Sequence, residues 1–186
     1  MPRRSKPGIF CLEGQWSPSL KDGSTVRPLL EFLANTDRIN FIYRDVGTPT
    51  ELRHYVEQWT RRAYGAYPIG YFAFHGDPGC LYIGGTALDL EDVGDLLAGT
   101  CEGKILYFGS CSTLQVGRGR IDAFRHRTRA RSVCGYVKPI DWFPSAAFEL
   151  MLFDALTCYK RLDAAERWLR TSYPGLVRQL GFRLYR

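Results

Sequence analysis

The order of segments predicts an α/β fold with a mainly parallel central sheet flanked by helices. Three observations carry this. Strand-like apolar runs alternate with helix-periodic stretches along most of the 186 residues, the pattern of layered α/β architecture. The runs IGYFAFHG (69–76) and KILYFGSC (104–111) are almost wholly apolar, as strands covered on both faces must be. No internal repeat, low-complexity tract or linker interrupts the pattern. The length suits one domain spanning residues 1–186 with a substantial core.

Taken in order, GIFCLEGQW (8–16) reads as a strand. STVRPLLEFLANT (24–36) places Val26, Leu29, Leu30 and Leu33 at helical spacing, with Ser24 as its cap. INFIYRDV (39–46) is a strand. TPTELRHYVEQWTRRAYGAY (48–67) is a helix capped by Thr48 or Thr50, with Leu52, Tyr55, Val56 and Trp59 on one face. After the strand 69–76, CLYIGG and TALDL form a hairpin turning at Gly84-Gly85. LEDVGDLLAG (90–99) is a short helix, KILYFGSC the next buried strand, IDAFRHRTRA (121–130) a helix and RSVCGYVKPI (131–140) a further strand. Two helices follow at 145–159 and 163–180, capped by Ser145 and Asp163, before a final edge strand in GFRLYR.

Composition excludes several classes. No apolar run approaches the ~20 residues needed to span a bilayer. The basic start, MPRRSKPGIFCLEGQW, is broken by Gly8, Glu13 and Gly14 and does not read as a signal peptide. A cytoplasmic location is expected, with no membrane association. The six cysteines (11, 80, 101, 111, 134, 158) contain no CxxC pair, so neither a metal site nor a disulfide framework is expected, and no cofactor is implied. Cys11 and Cys134 sit in apolar runs as small core residues.

Charge is unevenly spread. Residues 1–115 hold 11 basic and 13 acidic side chains, a net −2, whereas residues 116–186 hold 14 and 6, a net +8. The densest stretch is GRGRIDAFRHRTRAR (117–131). Phe124 is the single aromatic ring of Phe, Tyr or Trp there, too few for a base-stacking platform, so nucleic acid is not the expected partner. A solvated helix face or an acidic protein surface fits better.

The chemistry concentrates at two strand ends. His75 follows one buried strand and Cys111 follows the next. Open α/β sheets bind ligands at the carboxyl ends of their strands, so two parallel neighbours would bring this imidazole and thiol together. A free thiol, with a pKa near ~8.5, is only slightly ionised at neutral pH and needs a base beside it. Gly76 and Gly109 permit close backbone approach, and the N–H groups of Gly76 and Cys111 are candidates for an oxyanion hole. His54 and His126 fall on helices and are expected to be dispensable. Either residue alone reads as a loop-entry histidine or a buried filler cysteine; the matched pair is what points to catalysis.

The blocks YFAFHG and ILYFGSC, followed by SVCGYVKPIDWFPSAAFELMLFDAL, resemble the caspase-like cysteine peptidases, the group containing caspases, separase, gingipains and the CHAT-domain proteases, and the third block is closest to the CHAT type. Residues 8–160 carry the resemblance. Around the nucleophile the chain has Ser110-Cys111-Ser112-Thr113 where CHAT sequences have Ala-Cys-Glu-Thr, and Gly135-Tyr136 stands where they have Leu-Trp. The resemblance implies a caspase-hemoglobinase-like three-layer sandwich and a His75–Cys111 dyad. It also implies a pocket for the substrate residue before the scissile bond, built from Glu13, Ser110 and Asp141. Two acids there favour Arg or Lys, because a carboxylate without a cation is stabilised when a substrate cation arrives. Equally, Asp141 can cap the following helix and Glu13 can simply be exposed. Asp77 can touch substrate or fix the histidine loop.

The function expected is a cytosolic cysteine endopeptidase cutting protein substrates after a basic residue. Control is expected from an activating or regulatory protein partner, from self-cleavage or from oligomerisation; the CHAT-like resemblance implies a setting in bacterial, antiviral defence. The alternatives are a catalytically silent module of the same fold docking through the basic 117–131 helix, and a hydrolase or transferase using the same dyad on small molecules.

Overall fold

The computed structural model describes residues 6–186; the basic start at residues 1–5 lies outside the described residues. The chain runs β1 (Gly8–Glu13), α1 (Arg27–Asn35), β2 (Asn40–Asp45), α2 (Pro49–Trp59), a 3-10 turn (Arg62–Tyr64), β3 (Ile69–Ala73), β4 (His75–Asp77), β5 (Cys80–Ile83), β6 (Thr86–Asp89) and α3 (Leu90–Leu96). It continues with β7 (Ile105–Phe108), α4 (Arg118–Thr128), β8 (Ser132–Tyr136), α5 (Trp142–Cys158), α6 (Leu162–Ser172), α7 (Pro174–Leu180) and β9 (Phe182–Tyr185).

Six strands form the main sheet in the order β2-β1-β3-β7-β8-β9. All pairs are parallel except β8 with β9, which closes the edge antiparallel. Strand side chains alternate between faces, and the core divides accordingly. Ile9, Cys11, Tyr71, Tyr107, Cys134 and Tyr136 pack under α1, α5, α6 and α7. Phe10, Leu12, Phe72, Leu106, Phe108 and Val133 pack under α2, α3 and α4. The architecture is therefore three layers, with the most central strands, β3 and β7, buried throughout. A second sheet, β4-β5-β6, is a small antiparallel flap. The hairpin at Gly84-Gly85 was legible in the sequence, but β4 was not: three residues, His75 to Asp77, pair with Cys80 to Tyr82 and lengthen the flap.

Helix ends depart from expectation for local reasons. Thr48 does cap α2, accepting from the Glu51 amide. Ser24 does not cap α1, which begins at Arg27 after Val26, with Pro28 in its first turn. The stretch 48–67 ends its α-helix at Trp59 and turns once in 3-10 form. α4 begins at Arg118 and stops at Thr128, where Arg129 turns left-handed. α5 starts three residues before Ser145, whose hydroxyl donates back to the Trp142 carbonyl instead of capping. The stretch 163–180 breaks in two because Pro174 lacks an amide donor; it becomes the first residue of α7. α6 begins at Leu162, so Asp163 lies inside it and binds Arg161.

Candidate active site

The parallel register brings three strand ends level. Gly14 donates its amide to the Ala73 carbonyl (2.9 Å), and Gly109 donates to Phe72 (3.0 Å), so the ladder continues past the ends of β1 and β7 onto β3. His75 leaves β3 and Cys111 leaves β7 at this shared carboxyl edge. The two loops touch: a Cβ added at Gly76 would lie 2.9 Å from the Cys111 carbonyl oxygen and 3.0 Å from Ser110 Cβ. Only glycine permits that approach. The turn after Cys111 is strained, with buried Ser112 at φ +53°, a conformation that non-glycine residues adopt at a cost of ~1–3 kcal/mol. It is held by the Ser112 amide on the Lys138 carbonyl (3.0 Å) and the Gln115 amide on the Ser112 carbonyl (2.7 Å).

His75 is oriented from the loop after β1. Its Nε2 lies 2.8 Å from the Trp16 carbonyl. A carbonyl only accepts, so Nε2 carries a proton, and in the neutral ring the lone pair falls on Nδ1. The Trp16 ring meets the imidazole edge-on at 5.2 Å and Trp142 at 5.1 Å. Trp16 is itself fastened, its indole N–H donating to Glu13. The same carboxylate accepts from the Val26 amide (2.8 Å) and from the Thr25 hydroxyl (2.6 Å). Tyr43 lies 2.5 Å from Glu13 and 2.7 Å from Asp45, with one proton to give between them.

Cys111 and His75 line one cavity of about 170 Å³. Its walls are Trp16, Val26, Leu29, Phe74, Ile140 and Trp142, and its depth holds Tyr71, Ser145 and Glu149. The Ile140 amide donates to Cys111 Sγ at 3.5 Å, and the Ile140 carbonyl lies 3.8 Å from it. An amide aimed at sulfur stabilises a developing thiolate. Glu149, on α5, is only 3% exposed. Tyr71 donates to one of its oxygens (2.6 Å) and Tyr107 to the other (2.7 Å); Tyr136 pairs with the Tyr107 hydroxyl (2.8 Å). Burial nevertheless raises its carboxyl to about 7, against the lowering effect of the tyrosines.

The structure thus brings together His75, Gly76 and Cys111, and it places the other sequence candidates elsewhere. Glu13 is not exposed: it is 2% accessible and occupied by its own loop, so it fixes Trp16 and borders a neighbouring surface cleft. Ser110 is buried with its hydroxyl 2.7 Å from that of Thr113, not in the cavity. Asp77 accepts from the Tyr82 hydroxyl (2.8 Å) across the flap. Asp141 is exposed at the N-cap position of α5, where its side chain makes no cap hydrogen bond; Ile140 and Trp142 on either side of it line the cavity, and it does not. The acid in the cavity is Glu149. Nothing in a single sequence marks it, since it sits inside an apolar helix. Trp16 was equally silent, because its contribution is a backbone carbonyl.

His54 and His126 lie on α2 and α4, away from the cavity. α4 is linked to α3 by ion pairs on its exposed face: Arg120 binds Glu91 (2.7 Å from Nε) and Arg127 binds Asp95, while Arg118 reaches Asp122 within α4 (3.5 Å). Among the described residues no group of three His, Cys, Asp or Glu side chains is placed to hold a metal ion, and no helix is long and apolar enough to cross a membrane.

Residues 6–186 match the model of DUF6642, a family of unknown function. No curated protein matches the sequence. Among solved structures, caspase-1 from Spodoptera frugiperda superposes with a TM-score of 0.56 at 14% identity, covering 90% of this chain and 76% of that one. The fold is therefore caspase-like, as the resemblance implied.

Two outcomes follow from this geometry. Gly76→Ala should destabilise the protein by about 1–3 kcal/mol in urea unfolding, because the added methyl meets backbone. Gly117→Ala, where nothing lies within 4 Å, should stay within about 0.5 kcal/mol of wild type; equal effects would show that the loops are not held in contact. Glu149 sets the second. Its folded carboxyl stands at about 7 against an ordinary 4.5, so folding is favoured fully below the lower value and loses up to about 3 kcal/mol as pH rises through 7. Thermal unfolding of Glu149→Gln should therefore decline less between pH 5 and 8 than that of wild type. Parallel declines would place the titration elsewhere.

Proposed function

The chain belongs to the DUF6642 family, and we propose that it is a cysteine peptidase of the caspase-like, CHAT-related kind that cleaves protein substrates after a basic residue. The observation that carries this reading is that one cavity is lined by Cys111, by a histidine whose Nε2 is fixed on the Trp16 carbonyl, and by the buried carboxyl of Glu149. His75 Nδ1 takes the thiol proton, and the sulfur attacks the substrate carbonyl. The amides of Gly76 and Cys111 receive the oxyanion. Protonated His75 then gives its proton to the departing amine, and water, deprotonated by the same imidazole, releases the acyl group from sulfur. The substrate side chain enters the cavity, its apolar stem against Trp16, Phe74 and Trp142 and its cationic tip at Glu149. Ionisation of Glu149, costly in the empty site, is favoured when that cation arrives. Asp141 meets the substrate outside the cavity, at its rim.

A protein partner or self-cleavage controls this activity, in regulated proteolysis such as a defence response. The silent-module alternative rests on the 117–131 helix, where two arginines, Arg120 and Arg127, already pair with acids on α3, and it gives no role to the cavity shared by His75 and Cys111. That favours the enzyme.

Peptidyl acyloxymethyl ketones ending in Arg should label Cys111 first, since burial pushes the other five thiols above their ordinary range; mapping of the adduct to Cys80 or Cys158 with Cys111 inert contradicts the assignment. His75→Ala should lower peptide turnover by roughly 10²–10⁴, while His126→Ala leaves it unchanged. For specificity, the comparison is Arg against citrulline, its neutral isostere. Wild type should prefer Arg at least tenfold in kcat/KM, and Glu149→Gln should erase the preference. A preference that survives in Glu149→Gln, but not in Asp141→Asn, would return the role to Asp141.

A further inference from the structure

α4 carries only part of the excess positive charge of residues 116–186: Arg120 and Arg127 meet acids on α3 and Arg118 reaches Asp122, while Arg125 has no ion pair among the described residues. Much of the rest converges on a second pocket. It has a volume of about 380 Å³ and is lined by Lys138, Arg170, Arg178 and Arg183 around Pro174, Val177 and Gly181, with no acidic residue in its lining. The four cations come from four separate places: the loop between β8 and α5, then α6, α7 and β9. Arg170 shares the nearby Glu166 with Arg186 (2.9 and 3.4 Å). Lys138 donates to the Arg178 carbonyl (2.9 Å), and Arg183 to that of Phe182 (3.1 Å); these bonds satisfy donors but cancel no charge.

The pocket is also shaped. Gly181 turns at φ +63°, and a Cβ there would lie 2.8 Å from Lys138 Cγ, so the absence of a side chain lets the lysine stem lie across the turn. Converging like charges oppose folding. A compact anion with several charges would relieve that repulsion, and guanidinium forks match phosphate oxygens in particular. A concave cluster drawn from four elements fits a short phosphate chain better than the long track that a nucleic-acid strand needs.

The pocket has a direct route to the nucleophile. The backbone of Lys138 accepts from the Ser112 amide, one residue beyond Cys111, and Ile140, two residues on, donates to the Cys111 sulfur. We propose that this pocket binds a compact, multiply charged phosphate ligand, and that occupancy acts on Cys111 through the Lys138–Ile140 loop. The binding claim stands apart from the peptidase reading.

The test uses the whole chain at about 0.15 M salt, where diffuse attraction between exposed charges is largely screened. Inorganic tripolyphosphate, titrated calorimetrically, should bind one to one. Arg178→Glu and Arg183→Glu should each weaken binding at least tenfold, whereas Arg118→Glu, the same charge change on α4, should leave it within twofold. ATP binding as well as tripolyphosphate would identify the phosphate chain as the recognised part. Absence of saturable binding overturns the site, as does equal weakening by Arg118→Glu. Tighter binding of a single-stranded oligonucleotide or of an aspartate-rich peptide than of tripolyphosphate overturns the ligand class. Saturating tripolyphosphate should change the rate of Cys111 alkylation by iodoacetamide at least threefold in wild type; an unchanged rate overturns the coupling. Neither readout requires turnover, so failure here is distinguishable from failure of the peptidase assignment.

Discussion

The Glu13 carboxylate at the end of β1 is the fastening on which the candidate site depends. Four groups converge on it: the indole of Trp16, the amide of Val26, and the hydroxyls of Thr25 and Tyr43. All are neutral donors, so the carboxylate is stabilised by hydrogen bonds rather than by an ion pair. These bonds close the long connection between β1 and α1 onto the sheet. The closure fixes Trp16, whose carbonyl selects the tautomer of His75 and whose ring contacts both His75 and Trp142. Without that anchor the loop between β1 and α1 would carry few buried apolar contacts, the usual condition for local opening.

Around this anchor the protein holds two further costs at the same sheet edge. Ser112 sits in a left-handed conformation immediately after Cys111, and Glu149 is buried beneath the cavity with tyrosine hydroxyls for partners. Neither is required by a three-layer sheet; phenylalanines at 71 and 107 with an aliphatic residue at 149 would cover the same faces without a buried acid. Strain and a buried acid side by side at the carboxyl edge of the sheet are the combination expected where a fold carries a site. The resting site is then preorganised on two sides: His75 by the Trp16 carbonyl and the thiol by the Ile140 amide.

The layers, and the positions of His75 and Cys111 just past two buried strands, were legible in the sequence because each has a local signature. Apolar runs without alternation mark β3 and β7, and His75 and Cys111 stand just past their ends. What was not legible depends on distance or on the backbone. Glu149 meets partners 42 and 78 positions away, and SAAFELMLF reads simply as a core helix. Trp16 acts through an atom that every residue possesses. Glu13 was visible as an acid at the right strand end, but a sequence does not distinguish an open carboxylate from one already filled by its own loop. Asp141 is a related case: its neighbours Ile140 and Trp142 line the cavity, while its own side chain does not. The helix boundaries that moved did so at Pro174 and at the early start of α5, where chain geometry overrode the capping pattern.

The central claim is that His75 acts on Cys111 through the nitrogen that the Trp16 carbonyl leaves free. The direct measurement is the rate of Cys111 alkylation by iodoacetamide as a function of pH, in wild type and in His75→Ala. If the imidazole serves the thiol, wild type reacts at least tenfold faster near neutral pH, and the two profiles converge at alkaline pH where the thiol ionises without help. Superimposable profiles across the whole range would contradict the account, leaving His75 and Cys111 as neighbours at a sheet edge with no shared chemistry.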